Sequence, residues 1–163
     1  MSRETDDDRD VFQQWVQPLL ERAAGYAYSL VGNHADAEDA VQEALWKGYR
    51  GLHGYDRGRP FKGWWFAIVR NCCLDLIRHR RASPRTVSVE QAEQMAARTA
   101  EAVEPLREAL AQLTPLQQEI LQLRYFGGCS YAELAEALAI PEGTVMSRLH
   151  AARQALAAAY RKD

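Results

Sequence analysis

Residues 130–160 read SYAELAEALAIPEGTVMSRLHAARQALAAAY, and the spacing of their apolar and capping residues settles the kind of fold the chain builds. Ser130 followed three residues later by Glu133 is a capping box, the reciprocal pairing that starts a helix. Leu134, Ala135 and Leu138 follow at helical spacing, Ile140-Pro141 makes a sharp turn, and Val145 and Leu149 carry a second apolar stripe. A short helix to about Ala139, a tight turn, and a longer helix from Glu142 to about Tyr160 is the spacing of a DNA-reading helix-turn-helix. Ala135 is small where the helices must cross, and Ala139 stands where such turns usually carry glycine. The outer face of the second helix presents Thr144, Ser147, Arg148 and Ala151, flanked by His150 and Arg153. That surface has the polarity to meet base edges and phosphates. An ordinary helical hairpin whose polar side faces water satisfies the same pattern.

Outward from this stretch, apolar residues recur at helical spacing through most of the chain, and no segment sustains a period-two alternation. The expected fold class is all-α. One helix is expected over Asp10 to Val31, with Phe12, Trp15, Leu19, Ala23, Tyr26, Ala27 and Leu30 on its apolar stripe. A second runs from about Ala35 to Leu52, and His53 to Pro60 forms a loop. A third spans Phe61 to about Arg81, its core stripe being Phe61, one of Trp64 and Trp65, Ile68, Cys72 and Leu76. Three such helices enclose a small core, giving an N-terminal domain over residues 1–81. Residues 82–104 lose the aromatics and contain Ser83-Pro84, so they read as a linker with some helix around Val89 to Ala97. A second helical domain covers 105–163: a helix from Pro105 to Leu113, one capped by Thr114 with Pro115 and Gln117, then the helix-turn-helix.

The 163 residues are 47% hydrophobic and 26% charged, which is globular composition. No stretch approaches the roughly 20 apolar residues of a membrane span, and the acidic N-terminus has no secretory pattern, so a cytoplasmic protein without membrane insertion is expected. The chain ends soon after the last helix, so no added C-terminal sensing domain is expected. Three cysteines, Cys72, Cys73 and Cys129, give neither a disulfide framework nor a zinc pattern, and no cofactor or metal is implied. A net charge of −2 argues, taken whole, against a nucleic-acid binder. The total hides a strong polarity. From Arg57 to Arg85 there are eight basic residues and one acid, a local charge of +7 that leaves −9 for the remainder.

Trp64, Trp65 and Phe66 sit inside that basic segment, and a helix cannot bury three consecutive side chains in one direction. Exposed rings amid positive charge suit single-stranded nucleic acid, since bases stack on rings while phosphates meet Arg and Lys. The competing reading keeps two rings in the core and sets the third over an interdomain joint. In the second helix, Asp36, Glu38, Asp39, Gln42 and Glu43 line one polar side. They form either a docking face for a basic or polar partner or simply a solvated face matched to the helix dipole.

Taken together and in this order, the three signals resemble the extracytoplasmic-function sigma factors, small alternative specificity subunits of bacterial RNA polymerase. Residues 37–43, AEDAVQE, are similar to the family's polymerase-docking helix. Phe61, Trp64, Ile68, Asn71, Asp75 and Arg78 stand at the spacing of its promoter-melting helix. Leu113, Leu123-Arg124, Ser130-Tyr131, Glu133-Leu134-Ala135, residues 140–145 and Ser147-Arg148-Leu149 follow its second signature. The resemblance implies a subunit that binds core RNA polymerase and directs promoter recognition, melting and initiation without catalysis, restrained by an anti-sigma factor. It implies docking through Asp36, Asp39, Gln42 and Glu43. It places Lys62, Trp64, Trp65, Arg70, Asn71 and Arg78 on the minus-ten element, with Asn71 capturing a flipped base and Trp64 mainly core. Thr144, Ser147, Arg148, His150 and Arg153 would lie on or beside the minus-thirty-five duplex. Met146 and Ala151 stand where the family commonly carries Lys or Arg, so this recognition helix is less basic than usual.

Two other functions fit parts of the chain. A stand-alone helix-turn-helix regulator leaves the basic aromatic helix and the acidic face unexplained. A cysteine enzyme pairing Cys72 or Cys73 with His79 fails on distance, because the histidine lies six or seven residues along the same helix. That is about 9–10 Å of rise, too far for the required hydrogen bond.

Overall fold

The computed structural model describes residues 2–82 and 100–161, and among these the regular structure is entirely helical. In the N-terminal half, α1 (Ser2–Val16) is followed by a 3₁₀ turn (Gln17–Leu19), α2 (Leu20–Val31), α3 (His34–Gly51), a second 3₁₀ turn (Leu52–Gly54) and α4 (Phe61–Ala82). The C-terminal half comprises α5 (Ala100–Ala111), α6 (Pro115–Tyr125), α7 (Tyr131–Leu138) and α8 (Glu142–Tyr160).

The expected first helix is in fact two. Pro18 has no N–H to give and its ring crowds the preceding turn, so the chain tightens to 3₁₀ there before α2 begins. Gly32 then closes α2 in the left-handed conformation at φ 84°, and the Asn33 side chain accepts from Asp36 N–H at 2.9 Å to open α3. In the C-terminal half the helix expected to begin at Pro105 begins at Ala100, so residues 100–104 of the stretch read as linker are helical. The rest of that linker, including the helix expected around Val89 to Ala97, lies outside the described residues. Both capping boxes form as their sequences require, Thr114 with Gln117 and Ser130 with Glu133.

The core of the bundle is built where α4 meets α1, α2 and α3. Trp65 is fully buried and meets Phe12 edge-on with ring centroids 6.1 Å apart. Gly48 makes room for that pair: a Cβ there would stand 2.9 Å from Phe12 and 3.2 Å from Trp65. The buried stripe of α4 is Gly63, Trp65, Phe66, Val69, Cys72 and Cys73, turned from the expected one, with Phe61, Trp64, Ile68 and Leu76 only half-buried. The cause is a second covering layer. α7 lies along α4, so the helix is enclosed from two sides and buries residues that a three-helix bundle alone would leave at its rim.

In the C-terminal half, Leu134, Val145 and Leu149 are fully buried between α7 and α8, as a helix-turn-helix requires. The turn between them uses a Schellman-type closure, with Ile140 N–H donating to Ala135 C=O at 3.0 Å. Ala139 occupies its left-handed position at φ 52°, ψ 45°. That conformation costs an L-residue with a Cβ roughly 1–2 kcal/mol, part of which glycine returns as backbone entropy in the unfolded chain. Ala139→Gly is therefore expected to raise stability by about 0.5–1 kcal/mol. Urea titration of both proteins checks this, and a less stable variant would show that the turn is not left-handed.

Candidate nucleic-acid interface

The predicted functional side chains fall on three surfaces, and only some are open. The first lies on α3. Asp39, Gln42 and Glu43 are exposed there, with Lys47 bridging Glu43 at 3.5 Å and Asp75 of α4 at 3.9 Å. Asp36, at the head of the same row, is half-buried and tied to Arg80 and to the Asn33 amide at 2.8 Å. It secures the end of α4 to the start of α3, so it is less available to a partner than the other three. Sequence reasoning missed Trp46. This indole is 55% exposed, three residues beyond Glu43 on the same row, and carries the Arg50 guanidinium 4.5 Å above its ring. The signal was the i, i+3 and i+4 spacing from Gln42 and Glu43, which puts an aromatic anchor among the acids.

The second surface belongs to α4. Asn71 and Arg78 are exposed on it, Arg78 pairing with Asp75 at 3.0 Å. Trp64 is half-buried against Tyr55 and Phe61. Trp65 requires a correction: with its ring wholly enclosed it holds the bundle together and offers no face to a base in this conformation. Phe66 takes the joint position, edge-on to Tyr26 at 5.5 Å and against Gly127 of the C-terminal half. Lys62 and Arg70 do not point to open solvent. Lys62 donates to Gly128 C=O at 2.6 Å and lies 3.7 Å from Glu133, while Arg70 pairs with Glu119. The neighbouring Arg59 forks onto both oxygens of Glu136, at 2.7 and 3.1 Å.

The third surface is the outer face of α8. Ser147, Arg148, His150 and Arg153 are exposed along it and Thr144 is half-buried at its start. The Ser147 hydroxyl donates to Thr144 C=O at 3.1 Å, and Arg153 donates to the Tyr125 hydroxyl at 2.9 Å while lying over that ring. Arg153 is thus aimed from α8 toward the end of α6 rather than straight outward. Met146 is exposed in the same row, an apolar side chain in place of a charge. Among the described residues no group of three or more His, Cys, Asp or Glu is placed to hold a metal, and no helix is long and apolar enough to cross a membrane.

Comparison with known proteins gives these surfaces a context. Residues 15–83 match the family model for sigma-70 region 2, and residues 104–156 that for sigma-70 region 4. The chain is similar to the ECF RNA polymerase sigma factor SigL of Mycobacterium tuberculosis, 36% identical over 138 residues that cover 80% of this chain and 78% of SigL. It is 30% identical over 166 residues to the ECF RNA polymerase sigma factor SigW of Bacillus subtilis, covering 91% of this chain and 88% of SigW. Among solved structures it resembles CnrH in complex with the cytosolic domain of CnrY, with a TM-score of 0.72 at 28% identity over 99% of this chain and 95% of that one. It also resembles the sigma factor RpoE in complex with the anti-sigma factor NepR from Bartonella quintana, with a TM-score of 0.68 at 25% identity over 93% of this chain and 98% of that one.

The thiols are enclosed beneath these surfaces rather than presented on them. Cys72, Cys73 and Cys129 are free and buried, and burial pushes Cys73 and Cys129 up to about 12. Such groups are poor nucleophiles near neutral pH. An unfolded thiol loses its proton near 8.5, so above about pH 9 the unfolded state binds fewer protons than the folded one and stability falls as pH rises toward 12. The expected slope is at most about 1.4 kcal/mol per pH unit for each thiol. Denaturant titrations at pH 8 and pH 10 should show a larger loss for the native chain than for a Cys73→Ala, Cys129→Ala variant. Equal losses would mean that the thiols titrate normally.

Proposed function

The chain belongs to the extracytoplasmic-function sigma factors of bacterial RNA polymerase, and from that membership we propose which surface performs which part of the work. It is a transcription initiation factor and not an enzyme: it binds core polymerase and directs it to promoters. Core RNA polymerase, promoter DNA and an anti-sigma factor are its partners, and it works in the cytoplasm, where polymerase is.

Asp39, Gln42 and Glu43 form the polymerase-docking face, with Trp46 as its aromatic anchor and Asp36 supporting the head of the row. The combination of carboxylates that steer and a stacked indole that buries area suits a basic, partly apolar partner surface. Lys62, Arg70 and Arg78 hold the phosphates of the minus-ten strand. Asn71 takes one base after it leaves the stack, because its amide offers both donors and an acceptor to a base edge. Thr144, Ser147, Arg148, His150 and Arg153 meet the minus-thirty-five duplex, with Arg148 on a phosphate. Each contact set is modest, and linking the two through one chain raises the effective concentration of the second once the first is bound.

The observation that carries this reading is the presence, on one chain and in order, of an acidic face bearing an exposed tryptophan, a basic aromatic helix with an exposed asparagine, and an open helix-turn-helix surface. Run-off transcription with purified core polymerase on a promoter pool tests it directly. Transcripts that depend on this protein are expected, and their absence on every promoter would favour a regulator that acts on duplex DNA alone. Asn71→Ala should lower open-complex formation by about tenfold or more, the scale of losing a base contact worth about 1–3 kcal/mol, and leave core affinity unchanged. Equal loss of both would remove Asn71 from the base-capture role. Arg148→Ala should weaken binding to upstream duplex and reduce the salt slope of that binding by about 1. An unchanged slope would take Arg148 off the phosphate.

A further inference from the structure

α8 carries two arginines, Arg148 and Arg153, and the second is held by residues of other helices. Its Nε donates to the Tyr125 hydroxyl at 2.9 Å, and its guanidinium lies 5.8 Å from the centroid of the same ring. The Tyr125 hydrogen bond, against a small cost of burial, and to a lesser degree the Tyr131 hydroxyl raise the ionisation of Arg153 above its ordinary value, so both phenols favour the charged guanidinium. Both stand on fixed backbone. Tyr125 is the last residue of α6 and Tyr131 the first of α7, and between them Arg124 donates to Cys129 C=O at 2.6 Å while lying 5.5 Å from the centroid of the Tyr131 ring. Tyr125 and Arg153 also border one groove with Leu121, Leu156 and Tyr160, so the ring and the arginine stem rest on apolar side chains.

The hold matters because of where Arg153 lies. Met146, His150 and Arg153 fall at i, i+4 and i+7, which puts them on one stripe of the open face of α8. Arg153 is about 10 Å further along the helix than Met146. A recognition helix meets base edges with its N-terminal residues, so a cation two turns further on meets backbone phosphates. We propose that Tyr125 is a positioning residue for minus-thirty-five binding: its hydroxyl takes the Nε of Arg153 and leaves N–H groups of the two terminal amines to fork onto one backbone phosphate. This rests on assigning the outer face of α8 to the upstream duplex. A free arginine side chain gives up rotamers when it binds a phosphate, and one already held by a neighbour gives up fewer. The planar guanidinium suits the arrangement, because one edge can be engaged while the other presents two parallel donors. Met146 in the same stripe brings no charge, so the contact made by Arg153 carries more of the grip on this duplex. Tyr125 itself touches no DNA; it acts through Arg153.

A double-mutant cycle between Tyr125→Phe and Arg153→Ala separates this role from a structural one. Holoenzyme assembled with excess core polymerase is titrated, over a series of salt concentrations, with a fluorescent duplex carrying the upstream element of a promoter recovered from the run-off pool. Arg153→Ala should weaken binding by about tenfold and lower the salt slope by about 1, the signature of one lost phosphate contact. Tyr125→Phe keeps the ring and should weaken binding by about threefold with the slope unchanged, since the cation still reaches its phosphate. In the Arg153→Ala background the same phenylalanine substitution should change nothing. An equal loss in both backgrounds would make Tyr125 a structural residue or a direct DNA contact, and no loss in the native background would show that Arg153 needs no hold. Either result overturns the proposal, as does an unchanged salt slope for Arg153→Ala. Core-dependent transcription by the native chain is measured alongside: absent coupling with transcription intact rejects the positioning role alone, whereas absent transcription rejects the sigma assignment and the proposal with it.

Discussion

The approach of α4 to α7 at Gly63 sets the disposition of the cations at the start of α4. Because no Cβ stands between the helices, Glu133 and Glu136 reach the cations of α4 and of the loop before it. Phe66 is carried onto Gly127, where Tyr26 closes over it. A fully buried Trp65 on the other side of α4 then has to fit the bundle, and Gly48 admits it by leaving Phe12 room. One helix therefore packs into the bundle on one side and against α7 on the other, and two glycines on different helices permit both.

The ion pairs between the halves add little to what buried apolar contact supplies. They are partly solvated, and pairs of that kind are worth about 0–1 kcal/mol each once side-chain entropy and screening are counted. The Tyr26 hydroxyl, buried beside Glu119, has no hydrogen-bond partner among the described residues, and burial pushes its ionisation well above the ordinary tyrosine value. An unpaired buried hydroxyl costs about 1–3 kcal/mol, which opposes closure if parting the halves lets water reach it.

The helices and their caps were legible in the sequence because caps and apolar periodicity are local. Thr114 and Ser130 each satisfy an N–H within three residues, so local spacing alone predicts them, whereas Asn33 reads as the end of the preceding helix and in fact caps α3. The helix-turn-helix was legible for the same reason, down to the unusual alanine at its turn. The errors arose where a local signal was overlooked or a distant partner intervened. Pro18 was visible and breaks the first helix. The buried stripe of α4 was not visible, because it depends on a second layer contributed by α7, and the enclosure of Trp65 depends on Phe12 and the space left at Gly48. The same holds for Lys62, Arg59 and Arg70, whose partners lie 66, 77 and 49 residues away along the chain. A local charge of +7 announces a polyanion surface and says nothing about which carboxylates occupy it in the free chain. Trp46 is an instructive omission. Its spacing from Gln42 and Glu43 was available in the sequence, but an aromatic beside acids reads as core until its exposure is seen.

The overall charge of −2 thus has a structural meaning. Of the 21 acids outside the basic segment, Glu119, Glu133 and Glu136 of the C-terminal half are folded directly onto it. The most direct measure of this account is the distance between the two halves in the free chain and in the holoenzyme. Dyes on cysteines introduced at Gln14 and Ala158, both exposed and outside every proposed interface, report it by energy transfer, since the native thiols are buried. The account predicts high transfer in the free chain that drops when core polymerase binds. Low transfer in the free chain, or transfer unchanged by polymerase, would contradict it.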